Sequence, residues 1–237
     1  QRGVQLDGRL RAAPQQHVVV AANPFEDAWR APTVGGINLL TGAYELQDVD
    51  IGLPAAVPWT ISREYNARQE TSGGSHRDSN GPMGRDWGQT SQPEISFYDD
   101  ATNSKDMIFF FYGIDRFAEY KRVDSTGPTF RGVNGAAGVF KSVPDAGAGP
   151  DTYVFTDQNG DELTFFAFDN DSGVAKGQLW KIADPAGNVA YVGDSSTATT
   201  AISNGYDAGG RILKAYDSAD RRFTYTYSTL DSVVRLT

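Results

Sequence analysis

The chain of 237 residues contains no cysteine. Disulfides, zinc–thiolate sites and cysteine nucleophiles are thereby excluded. The compartment stays open, since secreted and cytosolic proteins of this size can both do without disulfides. Histidine is scarce: His17 and His76 are its two copies. His76 lies in Ser75-His76-Arg77-Asp78, inside a Gly- and Ser-rich stretch. A Ser/His/Asp triad draws its members from separated segments, so this run reads as a solvated loop. Gly-x-Ser-x-Gly, P-loop and dinucleotide fingerprints are missing. No stretch approaches the roughly 20 apolar residues that a membrane-spanning helix needs. Basic runs are missing too. The 30 acidic and 21 basic residues leave a net charge of −9, which argues against nucleic acid or an anionic membrane surface as a partner. Amphipathic helical periodicity is absent; a short turn at 28–35, interrupted by Pro32, is the one helical candidate.

What the chain does have is strand chemistry. It carries 11 Tyr, 13 Phe and 4 Trp, residues that favour strands, while its 26 Gly and 11 Pro are spread along the whole length as turn residues would be. A chain of this length buries roughly 70% of its unfolded surface and suits one large all-β domain or two small ones. Residues 1–33 differ from the rest. Arg2, Arg9, Arg11 and Arg30 surround a single apolar run, Val18-Val19-Val20. We read 1–33 as an extended N-terminal arm and 34–237 as a β domain. Val18, Val19 and Val20 are either an edge strand of the chain's own sheet or a strand donated to a neighbouring subunit, and they are the candidate assembly residues. The start at Gln1 is read as a processing boundary.

From residue 34 strands and turns alternate. Tyr44, Leu46, Asp48 and Asp50 are expected on one face and Val49, Ile51 and Leu53 on the other. Trp59, Ile61, Arg63 and Tyr65 are expected to share a face. A loop follows at 70–84. Further strands are predicted at 95–98, 107–112, 116–123, 130–133, 139–143, 152–156, 162–168, 179–183, 189–192, 211–216, 222–227 and 233–236. Strand 107–112 is apolar on both faces, so both are expected to be covered. The spacing of roughly 8–12 residues is that of a sandwich, barrel or β-solenoid.

One unit recurs: strand, Asp-x-x-Gly, strand. It appears at Asp157-Gln158-Asn159-Gly160, Asp184-Pro185-Ala186-Gly187 and Asp207-Ala208-Gly209-Gly210, and in degenerate form at Asp217-Ser218-Ala219-Asp220. Asp caps a turn by accepting backbone N–H groups, and Gly takes the closing left-handed position. Each unit is therefore a β-hairpin, and stacked hairpins bury a face that one alone cannot.

Tyr206-Asp207-Ala208-Gly209-Gly210-Arg211-Ile212-Leu213 resembles a YD repeat, and 220–227 is similar to its half-repeat, with Asp220 where Gly is usual. Asn38-x-x-Thr41-Gly42, Asp48-x-Asp50-Ile51, Leu53-Pro54, Ser62-Arg63-Glu64-Tyr65-Asn66 and Gly84-Arg85-Asp86-Trp87 resemble the lead-in of Rhs proteins. The resemblance runs from about residue 34 to the end. It implies a β-sheet spiral around a hollow interior, which in longer relatives encloses a toxic domain or acts at cell surfaces. This chain has about two recognisable YD units, and Asp184-Pro185-Ala186-Gly187 is followed by Asn188 rather than the Leu of the self-cleavage motif. Encapsulation and autoproteolysis are therefore not expected of it.

No catalytic residue, cofactor or metal ligand is assigned. Asp169 and Asp171 resemble half a calcium loop, but position 180 is Trp180 where a bidentate Glu belongs. Asp157 to Glu162 is suggestive in the same way, and turn chemistry accounts for both. Trp29, Trp59, Trp87 and Trp180 could stack on sugars, with packing the competing role. The expected fold is all-β, with antiparallel sheets of stacked hairpins forming a sandwich or a short open spiral. The expected function is structural: a self-assembling, head-to-tail subunit of an extracellular or cell-surface fibre built by strand addition, since the strand-like uncapped end leaves an edge to fill. The alternatives are a fragment of an Rhs-type toxin shell and a module binding cell-surface glycans.

Overall fold

The structure, a computed structural model, describes residues 33–34, 37–38, 44–66, 87–89, 92–99, 106–113, 116–146, 149–168, 175–197, 205–230 and 233–236. Among these residues there is no helix, and the strands pair antiparallel, as expected. Strands β1 (Thr33–Val34) and β2 (Ile37–Asn38) form a short hairpin. β3 (Glu45–Gly52), β4 (Thr60–Asn66) and β5 (Trp87–Gln89) form a three-stranded sheet in chain order. The main sheet has 11 strands, also in chain order: β6 (Glu94–Tyr98), β7 (Met107–Gly113), β8 (Arg116–Arg122), β9 (Thr129–Gly132), β10 (Val139–Val143), β11 (Thr152–Thr156), β12 (Glu162–Phe166), β13 (Leu179–Ala183), β14 (Val189–Val192), β15 (Lys214–Tyr216) and β16 (Arg222–Thr224). A last hairpin joins β17 (Tyr227–Leu230) to β18 (Val233–Leu236).

Period-two alternation sets which residues enter the core. Phe130, Phe140, Phe155, Leu163, Phe165, Ala190, Val192, Ala215 and Phe223 are buried along successive strands. The sheet curls strongly around them. Strands β7 and β11 are four spacings apart, roughly 19 Å in a flat sheet, yet the rings of Phe110 and Phe155 sit 5.1 Å apart. Phe110 also meets Phe140 and Phe165 edge-on at 5.7 and 5.8 Å. Phe97 of β6 stacks on Tyr153 of β11 at 6.1 Å. The curl brings β6 back to the connection before β13: the Ile95 N–H donates to the Gly177 carbonyl at 2.8 Å, and the Gln178 side-chain amide donates to Glu94 at 2.9 Å. The sheet does not close into a barrel, because β13 to β16 continue beyond this seam.

Several expectations change in detail. A β-bulge at Asp50 shifts the register between Val49 and Ile51. Ile51 therefore stands opposite Ile61, on the face of Leu46 and Asp48, and leaves the face of Val49. On β4, Ser62 and Glu64 are buried as well as Ile61, so both faces of that strand are in use. On β7, Ile108 and Phe110 are buried, but the opposite face is only half covered. There Phe109 and Phe111 shelter against Phe117 at 6.3 and 5.9 Å. The stretch 222–227, read as one strand, breaks after β16, where the Tyr225 N–H turns to the Leu213 carbonyl. In 211–216 only β15 is regular, preceded by the single bridge between Tyr206 and Ile212.

Gly177 makes the seam possible. A Cβ there would stand 2.2 Å from the Ile95 carbonyl oxygen, at a φ of +74°. Gly177→Ala is expected to lower stability by at least about 2 kcal/mol, the upper end of the left-handed penalty for an L-residue, with the clash added. Urea denaturation followed by tryptophan fluorescence checks this, and an unchanged midpoint would mean that the seam tolerates opening.

Candidate functional site

The four repeated turns share one geometry. In each, the N–H of the first Asp donates to the carbonyl four residues on: Asp157 to Asp161 at 3.0 Å, Asp184 to Asn188 at 3.1 Å, Asp207 to Arg211 at 2.9 Å and Asp217 to Arg221 at 3.2 Å. The fourth residue is left-handed, with φ of 88° at Gly160, 85° at Gly187, 75° at Gly210 and 57° at Asp220. This is a type I turn closed by a G1 bulge, a standard three-residue hairpin loop. The Asp carboxylate satisfies the loop's own N–H groups. Asp157 accepts from Asn159 and Asp161 at 2.7 and 2.9 Å, Asp207 from Gly209 and Arg211 at 2.8 and 3.0 Å, and Asp217 from Ala219 and Arg221 at 2.9 and 3.0 Å.

The residue after the glycine position supplies a further donor in three turns. The Asn188 amide reaches Asp184 at 2.7 Å, and the Nε atoms of Arg211 and Arg221 reach Asp207 and Asp217 at 2.6 and 2.7 Å. At Asp207 burial pushes the carboxyl up, but the Arg211 and Gly209 hydrogen bonds and the Arg211 charge outweigh it and hold it below the usual range. The Asn188 amide does the same for Asp184 against its desolvation, with help from backbone N–H groups. The first turn is the exception. Its fifth residue is Asp161, whose carboxylate has no proton to give; the side-chain donor to Asp157 is instead the Asn159 amide, at 3.1 Å, and burial together with the Asp157 and Asp184 carboxylates pushes the Asp161 carboxyl up.

A second feature joins distant parts of the chain. Residues 53–59, between β3 and β4, form a strap against the Asp217 turn. The Val57 N–H donates to Ser218 Oγ at 2.9 Å, and the Ser218 N–H returns to the Val57 carbonyl at 3.1 Å. Arg221 Nη2 donates to the Pro54 carbonyl at 2.6 Å, and the Trp59 indole N–H to the Tyr225 hydroxyl at 2.8 Å. Beneath the strap the Asp217 side chain is fully buried, whereas that of Asp207 keeps 20% of its surface.

Beside the strap, β3 is an edge strand among the described residues, with a single bridge from Ile37 to Tyr44 just before it. It carries the exposed apolar side chains Leu46, Val49 and Ile51, with Tyr44 and Leu53 at its ends. Arg63 of β4 pairs with Asp50 at 2.6 Å and lies over the Trp87 ring at 4.9 Å.

Val18, Val19, Val20, His17, His76, Trp29, Asp169 and Asp171 lie outside the described residues. The Asp157 carboxylate, read as half a calcium loop or a turn cap, caps its turn. Among the described residues no three His, Asp or Glu side chains converge as metal ligands. Trp59 and Trp180 are buried and Trp87 is half-buried, so among the described residues the tryptophans form no exposed row. The strap was not foreseen: its contacts join residues at least 161 positions apart, and no local pattern marks them.

Residues 35–105 match the family described as "Domain of unknown function (DUF6531)". This stretch includes the strap and β3 to β5. No curated protein matches the chain. No helix among the described residues is long and apolar enough to cross a membrane.

Asp161→Asn would give the first turn the donor that Asn188 supplies in the second. It is expected to raise stability by about 0.5–1 kcal/mol at neutral pH, the low end for a hydrogen bond at a solvent-screened site. Because the folded pKa of Asp161 lies above its unfolded value, the wild-type chain gains stability as pH falls through that raised value, and the advantage of the variant shrinks toward pH 4. Asp184 and Asp207 run the other way: their stabilisation holds above the unfolded carboxylate pKa and is lost as pH falls through the lower folded one. Denaturation midpoints between pH 7 and pH 4 test the difference. A variant no more stable than wild type at pH 7 would remove this account of Asp161.

Proposed function

We propose that the chain is a non-catalytic structural module, a wall segment of a curled β-sheet shell of the Rhs/YD-repeat kind, working at the cell surface or outside the cell. One observation carries the reading: the 11 strands of the main sheet follow chain order, and its first strand returns to the connection before β13. A meander of this kind lengthens by adding hairpins and curves because its inward face is aromatic, which is what a wall requires. The four equivalent turns fit the same reading, since each is a repeat unit whose capping is internal to the turn. On this reading 34–237 is the wall and 1–33 an arm that contacts a neighbouring element.

Among the described residues no arrangement of mutually supporting acid, base and nucleophile points to an enzyme. The carboxylates with displaced pKa values are accounted for by turn capping and by crowding within one turn.

The fibre reading keeps one specific support. Among the described residues strand β3 is an edge with exposed Leu46, Val49 and Ile51, the kind of edge that accepts a strand from another copy, with Val18, Val19 and Val20 as the donated segment. Sedimentation velocity and negative-stain imaging over a wide concentration range separate the two. A compact monomer throughout is the expected result for the wall segment. Filaments that the Leu46→Lys, Ile51→Lys double variant cannot form would replace it with the fibre.

A further inference from the structure

The strap touches one of four geometrically equivalent turns, and two of the three side chains it uses, Ser218 and Tyr225, are ones in which that unit differs from the other three. At the second turn position stand Gln158, Pro185, Ala208 and Ser218. Ser218 both donates its N–H to the Val57 carbonyl and accepts the Val57 N–H on its hydroxyl. Pro185 has no N–H to give, Ala208 has no side-chain acceptor, and Gln158 carries its amide two bonds further out.

At the fifth position stand Asp161, Asn188, Arg211 and Arg221. Arg221 spans its own Asp217 and the Pro54 carbonyl. Asp161 is a carboxylate with no proton to donate, and Asn188 is committed to Asp184. Arg211 has the right chemistry but lies over the Tyr227 ring at 5.3 Å. Finally, Tyr225 accepts the Trp59 indole N–H. The equivalent positions after the other turns are Phe165, Val192 and Ala215, none of which can accept a hydrogen bond.

We infer that the 53–59 strap is a recognition element that reads the Asp217 turn and rejects the other three, clamping the three-stranded sheet β3–β5 to a single repeat of the series. The contacts at Ser218 and Tyr225 make the choice, because a misfit there would leave the half-buried Val57 N–H and the buried Trp59 indole N–H unpaired, the usual physical basis of strong discrimination; the exposed Arg221–Pro54 bond adds to the grip. The partner of this surface is thus the chain's own Asp217 turn. Because the strap lies within residues 35–105, the inference gives that family of unknown function a role here: it is the part that fastens onto a repeat sheet. It stands whether the sheet serves a shell or a fibre.

The test is hydrogen exchange with mass spectrometry on the full chain. The variant is Ser218→Ala with Arg221→Asn. The asparagine keeps a donor for Asp217, as Asn188 does for Asp184, so the turn itself is preserved. The amides of Ala55 to Val57 and Trp59 to Ile61 are expected to exchange about tenfold faster or more, while β7 to β14 keep wild-type protection. The control is Arg211→Asn, which alters the neighbouring Arg-bearing turn and is expected to leave 54–61 unchanged. Wild-type protection of 54–61 in the double variant would overturn the inference. So would equal release by Arg211→Asn, because the strap would then not be discriminating. A loss spread evenly over β7 to β14 would also overturn it, since the turn would be supporting the sheet and not the strap.

Discussion

Backbone pairing between sequence neighbours says nothing about how far a meander bends; the volume of its inward side chains decides that. Here Phe110, Tyr120, Phe140, Phe155 and Phe165 meet on one side of the main sheet, with Tyr120 and Phe140 at 4.9 Å and Phe140 and Phe155 at 4.9 Å. Strands that a flat sheet would hold far apart supply rings to one cluster. Those rings escape water only if the sheet rolls over them, so the curl and the burial of the core are the same event. The seam at Gly177 and the tight fit of Gly138, whose Cβ would meet the Phe155 ring at 2.4 Å, are consequences of that roll.

A rolled meander needs turns that reverse the chain without demanding partners elsewhere. The Asp-x-x-Gly loop does this by meeting its own hydrogen-bonding needs through one carboxylate and one left-handed residue. It can therefore be repeated along a sheet regardless of what lies beyond it. Tyrosines add links between units: the hydroxyl of Tyr206, just before the Asp207 turn, donates to the Leu179 carbonyl at 2.6 Å and that of Tyr227, at the start of β17, to the Ile212 carbonyl at 2.9 Å. Burial raises the pKa of both hydroxyls, so they remain protonated donors at any physiological pH.

Much of this architecture was legible in the sequence, for a physical reason. Strands 139–143, 152–156, 179–183, 189–192 and 233–236 fall where alternation and turn residues place them, because period and turn chemistry are local properties. The four repeat turns were legible for the same cause. What escaped is non-local or depends on one inserted residue. The bulge at Asp50 moves Ile51 to the other face, and nothing in alternation announces it. The curl depends on rings from strands far apart in sequence. The strap joins Val57 to Ser218 across 161 positions, and Leu53-Pro54 and Trp59 were visible as a motif and a strand residue without any sign of what they touch.

Equivalent repeats pose a problem that their regularity cannot solve: a segment that must bind one of them finds several alike. Discrimination has to come from positions where a unit departs from the pattern. In this chain the last unit is the most degenerate, with Ser218 on its turn, Asp220 in place of glycine and Tyr225 where the other units carry Phe165, Val192 and Ala215. Asp220 still adopts the left-handed conformation, at φ 57°, which Asp tolerates better than most residues. The turn is thus kept while its surface changes. Read by repeat pattern alone, these departures look like decay. Read by contact, Ser218 and Tyr225 hold the strap beside an Arg221 that the preceding turn also has as Arg211, so two of the departures from the repeat are also what gives this unit a distant partner.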